Sequence, residues 1–141
     1  MDVERYEELL PAVTEANLPY WEGCRKRELR LQACRECGDY RFPDGPVCSR
    51  CLSSSYEWRR MSGRGTLWSW IVMHQRYFEA FADEVPYIVA FVRLEEGPFM
   101  ISTVIEPPGE LWIDARVEVV FELVGKERVI PKFRVVGGWP R

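Results

Sequence analysis

With 141 residues, 47% of them hydrophobic and 29% charged, the chain has enough apolar material for one domain, or for two small ones sharing a core. Its longest run free of Asp, Glu, Lys and Arg, Gly65 to Gln75, has eleven residues, against the roughly 18–20 that a membrane-spanning helix needs. A formal net charge of −3 argues against a general nucleic-acid coat, which wants a strongly basic domain.

The opening MDVERYEELL is acidic and lacks the basic-then-apolar layout of a secretory signal, so a cytoplasmic location is expected. Residues 3–10 then read as a short helix ended by Pro11. A second helix starts near Asn17, with Pro19 in its first turn, and runs to about Arg27. Both are too short to be stable alone and must dock on something. Glu28 to Cys34 alternates, with Leu29, Leu31 and Ala33 on one side, and predicts a strand. Tyr40 to Phe42 is a short extended piece, and Pro43 to Pro46 a turn.

Beyond residue 55 the pattern is almost all strand. Tyr56 to Met61 is broken by Ser62-Gly63. Thr66 to His74 follows, apolar on both faces and therefore expected to be covered on both. Tyr87 to Leu94 and Phe99 to Ile105 form a hairpin across Glu95 to Pro98. In Arg116 to Leu123, Val117, Val119, Phe121 and Leu123 are expected to point inward, and Val129 to Val136 closes the set. The fold expected is mainly β: a helical segment over 1–27, a zinc ribbon over 28–61, and a five-stranded OB-fold barrel over 62–141.

Cys34-Arg-Glu-Cys37 and Cys48-Ser-Arg-Cys51 are two C-x-x-C pairs separated by ten residues. Each turn places two sulfurs on one side of a tight loop, and two such turns supply the four corners of a tetrahedron around Zn²⁺. A reducing compartment counts against disulfides, while iron in a rubredoxin-like site uses the same ligands. With all four positions filled by protein, such a metal is structural.

Other residues carry weaker signals. Cys24 lies beside Arg25, Lys26 and Arg27, which lower a thiol pKa, yet it equally suits a small packing residue. His74, the only histidine, ends a strand and is either an acid–base group or an ordinary surface residue. Residues 24–64 hold ten Lys or Arg against five Asp or Glu. In this basic island Arg59, Arg60 and Arg64 either meet phosphates or form a solvated turn. Tyr77, Phe78 and Phe81 crowd one loop, as a contact surface or as core.

The order of PYWEGCRKRELRLQAC, two C-x-x-C pairs around a Pro-rich turn, VPYIVAFVRLEEG and a late VIPKFRVV resembles the zinc-ribbon/OB-fold acyl-CoA-associated family, over roughly residues 17 to 136. The resemblance implies a small partner of thiolase-superfamily proteins: thiolases, hydroxymethylglutaryl-CoA synthases and the aldolases of steroid side-chain breakdown. It implies a hetero-oligomer in which the partner supplies the reactive groups and this chain helps to hold an acyl-CoA. Cys34, Cys37, Cys48 and Cys51 match the family's metal ligands one for one. No comparable motif fixes a CoA-binding residue, so Arg59, Arg60, Arg64, His74, Tyr77, Phe78 and Phe81 are candidates for CoA or partner contact. The alternatives are a stand-alone acyl-CoA binder and, against the acidic composition, a single-stranded nucleic-acid binder.

Overall fold

Two antiparallel sheets and two short helices make up the computed structural model of the chain, which describes residues 3–138. The outer limits of the expected helical and barrel segments, residues 1–2 and 139–141, lie outside the described residues. Helix α1 (Val3–Leu9) stops short of Pro11, and α2 (Leu18–Arg25) carries Pro19 in its first turn. The second helix ends before Arg27, which takes φ of 62°. No helix among the described residues is long and apolar enough to cross a membrane.

The first sheet is β2-β1-β3, built from β1 (Arg30–Cys34), β2 (Tyr40–Arg41) and β3 (Tyr56–Arg60). The second runs in the order β6-β5-β4-β7-β8, with β4 (Arg64–Met73), β5 (Tyr87–Leu94), β6 (Phe99–Ser102), β7 (Arg116–Val124) and β8 (Arg128–Val135). It curls until its two edges meet. Past Ser102 the chain leaves the β5 ladder and crosses to β8, where Val104 pairs in parallel with Phe133. The Ile105 and Phe133 amides donate to the Phe133 and Thr103 carbonyls at 2.8 and 3.0 Å. This crossing is why β6 is shorter than the apolar run to Ile105 predicts. The seam is one bridge wide, so the OB-like sheet is a curled half-barrel closed at that point.

One core serves both sheets. Leu29, Leu31 and Met61 from the ribbon side pack with Leu67, Ala90, Val92, Leu94, Val117 and Phe133 of the barrel, all fully or nearly fully buried. The helices lash the parts together. Trp21 of α2 receives the Arg128 guanidinium over its ring at 4.6 Å. Arg128 also donates to the Pro11 carbonyl at 2.7 Å, and Glu7 of α1 accepts from the Lys126 amide at 2.6 Å. Arg5 pairs with Glu79 in the short 3-10 turn Glu79–Phe81.

Two expectations are overturned here. Strand β4 is not covered on both faces: Trp68, Ile71 and Val72 are exposed. A bulge between Leu67 and Ser69 leaves Trp68 and Ile71 on the outer face, while Val72 is not part of the core cluster. Leu67 faces Val92 in the core, but after the extra residue it is Trp70 and Val72 that align with Ala90 and Ile88, so the inward parity flips. In β7 Leu123 is exposed and Val124 is buried. The barrel core ends before Leu123, whereas Val124 is capped by Tyr6 of α1 and Ala80 of the 3-10 turn.

Candidate functional site

The four paired cysteines converge at the far end of the first sheet. Strand β1 delivers Cys34 at its last position, and the chain folds back so that the Gly38 amide donates to the Cys34 carbonyl at 3.0 Å. The Cys34 amide bonds the Asp39 carbonyl at 2.8 Å. The second knuckle repeats this closure. Leu52 donates to the Cys48 carbonyl at 2.9 Å, and the Cys48 amide bonds Ser53 at 2.8 Å. Gly38 takes φ of 77° and Leu52 takes 65°, so a leucine occupies the left-handed position that glycine fills without steric penalty.

The sulfurs of Cys34 and Cys51 lie 3.5 Å apart and those of Cys37 and Cys48 3.6 Å apart, with all four within 4.8 Å of one another. A tetrahedron with metal–sulfur bonds of 2.3 Å has sulfur–sulfur edges of about 3.8 Å, whereas a disulfide holds its sulfurs near 2.05 Å. The cluster is therefore suited to a structural zinc ion. Its electrostatics agree. The backbone amides of Cys37 and Glu36 hold the Cys34 thiol down to about 6 against the effect of burial. Amides of Cys51 and Arg50 lower Cys48. At Cys51 the Ser53 amide pulls down, but burial and the other three thiols push it up to about 12. Cys37 rises too, against its Asp39 amide. Thiolates this close repel one another, and a divalent cation removes the conflict.

Beneath the second knuckle lies a polar support. Gln32 of β1 and Arg41 of β2 are directly paired across the ladder and are 1% and 6% exposed. Gln32 Oε1 accepts from the Gly45 amide at 3.0 Å. Arg41 donates to the carbonyls of Gly45 and Ser53 at 2.9 and 3.2 Å, and its guanidinium lies over the Tyr56 ring. These bonds fix the loop that carries Cys48 and Cys51. Nothing in the sequence marked either residue, because Gln32 falls at a polar position of an alternating strand and Arg41 in a two-residue one, and both read as exposed.

The remaining candidates do not gather into one site. Arg59 pairs with Glu57 at 2.6 Å, Arg60 with Glu28 at 3.5 Å and Arg64 with Glu95 at 3.1 Å, so each of the three candidate arginines has a carboxylate partner. His74 is exposed just past β4, and Tyr77 and Phe78 are exposed in the loop beyond it. Phe81 is half-buried, edge-on to Tyr6 at 5.3 Å. Cys24 is fully buried, and burial pushes its thiol up to about 11, opposite to what a nucleophile needs.

Where the barrel seam is narrow, a cleft of about 610 Å³ opens between the helices and β8, walled by Trp21, Phe42, Phe81 and Met100. Glu84, Glu106 and Glu122 also line it, with Lys132 held by Glu122 at 3.1 Å. That surplus of carboxylates makes it a poor seat for an anion.

Residues 21–57 match the family described as ChsH2, rubredoxin-like zinc ribbon domain, and residues 58–122 the family described as ChsH2, C-terminal OB-fold domain. A probable enoyl-CoA hydratase alpha subunit of Thermomonospora curvata is 32% identical over 125 residues, 88% of this chain and 39% of that protein. The chain thus spans about two fifths of the length of that relative. A DUF35 domain-containing scaffold protein of Methanothermobacter thermautotrophicus is 35% identical over 67% of this chain and 71% of its own length. The benzoylsuccinyl-CoA thiolase subunit BbsA of Thauera aromatica is 25% identical over 87% and 78% respectively. Among solved structures, a chain of the Ltp2-ChsH2(DUF35) aldolase superposes with a TM-score of 0.78 at 31% identity, covering 89% of this chain and 98% of that one.

Proposed function

Since the chain belongs to the ChsH2/DUF35 family of paired zinc-ribbon and OB-fold domains, we propose that it is a non-catalytic subunit that binds and supports a thiolase-like enzyme, a thiolase or an aldolase, acting on acyl-CoA thioesters. The observation that carries this reading is the closed four-sulfur centre. Four protein donors fill every corner around a metal and leave no position for water or substrate, so the ion holds a surface in shape instead of doing chemistry. The relatives support the choice of partner: a CoA thiolase subunit and an aldolase named for Ltp2 together with ChsH2.

The ribbon tip is the docking surface in this reading. Leu52 is 75% exposed at its left-handed position, and Val47 is exposed in the loop before Cys48. Apolar side chains displayed on a metal-stiffened loop suit an interface core. Tyr77, Phe78 and His74 form a second contact region on the barrel side. A cytoplasmic location, where reducing conditions keep four thiolates available to a metal, fits this reading.

Co-expression with a thiolase-superfamily partner, followed by native mass spectrometry, tests the proposal. The expected result is one hetero-oligomeric mass. Two separate masses, with partner turnover unchanged when this chain is omitted, would refute it.

A further inference from the structure

The outer face of the curled sheet carries a row of side chains that the subunit reading leaves unused. Thr66 of β4 pairs with Arg93 of β5 on one side and with Arg116 of β7 on the other. Residues directly opposite on neighbouring strands project to the same face, with Cβ atoms about 4.5–5.5 Å apart. Thr66 therefore stands between two arginines on one face.

The next row differs. There Arg64 pairs with Glu118 across the ladder and is held by Glu95 at 3.1 Å, while Glu118 lies 4.0 Å from Arg134. Its charges are answered within the protein. Arg93 and Arg116 are exposed, and among the described residues neither has a carboxylate at ion-pairing distance. Arg116 lies across Gly137, its Nη2 3.0 Å from where a Cβ there would sit. The two arginines, Thr66 and Arg64 line a concavity of about 550 Å³ together with Glu95 and Glu118, within the range of small-ligand sites. Three guanidiniums there face two carboxylates, and Arg64 and Arg134 already engage those two.

An apolar patch adjoins the row. Phe99 of β6 pairs with Arg93, stacks on Phe91 at 4.7 Å and 12°, and meets Trp68 edge-on at 5.3 Å and 83°. Trp68 stands 47% exposed at the β4 bulge.

We propose that this face seats a nucleoside diphosphate group, with phosphoryl oxygens on Arg93, Thr66 and Arg116 and the base against Trp68. Guanidinium forks match phosphate geometry, and an exposed indole stacks on a base. The seat follows from the strand register. Its natural ligand rests on the subunit reading, because acyl-CoA carries an adenosine diphosphate.

The test titrates the zinc-loaded full chain with ADP and with inorganic pyrophosphate at low salt, by calorimetry and tryptophan fluorescence. ADP should bind saturably. Arg93→Gln and Arg116→Gln should each weaken it about tenfold or more, and Lys126→Gln, which removes a charge elsewhere, should not. Trp68→Ala should weaken ADP but spare pyrophosphate. Zinc content and circular dichroism establish that each variant is folded. Absence of saturable ADP binding, or equal binding by the arginine variants, would overturn the seat. So would much tighter, steeply salt-dependent binding of a long oligothymidylate, which would assign the face to single strands. Native mass spectrometry of the Arg93→Gln/Arg116→Gln double variant with the partner separates the two readings. Assembly without ADP binding leaves the subunit role standing, and ADP binding by a wild-type chain that never assembles leaves only the seat.

Discussion

Gln32 and Arg41 face each other across the β1–β2 ladder and grip the same residue, Gln32 accepting from the Gly45 amide and Arg41 donating to the Gly45 carbonyl. The loop bearing the second cysteine pair therefore hangs from two buried side chains as well as from the metal.

Arg41→Ala removes two charge-assisted hydrogen bonds and a ring contact, leaving the Gly45 and Ser53 carbonyls without those donors. Such losses cost about 2–4 kcal/mol. Urea unfolding should show that drop, and a chelator should strip zinc from the variant faster than from the wild type. Unchanged metal-release kinetics would mean that the sulfurs hold the loop without help.

Cys37→Ser removes one corner of the tetrahedron. Structural zinc contributes on the order of 10 kcal/mol in finger peptides, comparable with a whole domain's 5–15 kcal/mol. Loss of zinc by elemental analysis should accompany loss of partner assembly. Because Leu29, Leu31 and Met61 belong to the shared core, the thermal transition of the barrel should also fall. A barrel melting at its wild-type temperature would show that the two sheets are energetically separate.

Leu52→Gly relieves a non-glycine residue at φ of 65°. The gain, offset by glycine's greater unfolded freedom, should be about 0.5–1 kcal/mol by denaturant titration. If Leu52 anchors the partner, the same substitution weakens assembly, so stability and binding move in opposite directions.

Acid should loosen the root of the ribbon. Hydrogen bonding by Arg30 holds the Glu28 carboxyl below its ordinary value of 4.5, with Arg60 adding to the effect. A carboxyl lowered by folding stabilises fully above its unfolded pKa and loses that contribution as pH falls through the folded one. Denaturation midpoints should therefore decline below the ordinary carboxylate value, and Glu28→Gln should flatten part of that decline. An identical acid profile in the variant would assign the effect to other carboxylates.

The metal centre was legible in the sequence because C-x-x-C spacing is local: each knuckle closes within five residues. Strands were legible for the same reason, since alternation is carried by neighbours. The bulge at Trp68 was not, because Leu67, Trp68, Trp70, Ile71 and Val72 are apolar in both registers and leave no periodicity to break. Nor were the partners of Arg60 and Arg64. Glu28 lies 32 residues from Arg60 and Glu95 lies 31 from Arg64, and only strand pairing brings them together. The Arg93–Thr66–Arg116 row is hidden in the same way, across three strands far apart in the chain.

The bonds from Glu7 to Lys126, and from Pro11 and Trp21 to Arg128, set an order on folding. Both helices also rest on nearer parts of the chain, α1 on the 3-10 turn through Tyr6 and Phe81 and α2 on Phe42 through Tyr20. The bonds to Lys126 and Arg128 close far longer loops, and such closures come late. Protease protection around Glu7 and Pro11 should therefore report that the β7–β8 turn has formed.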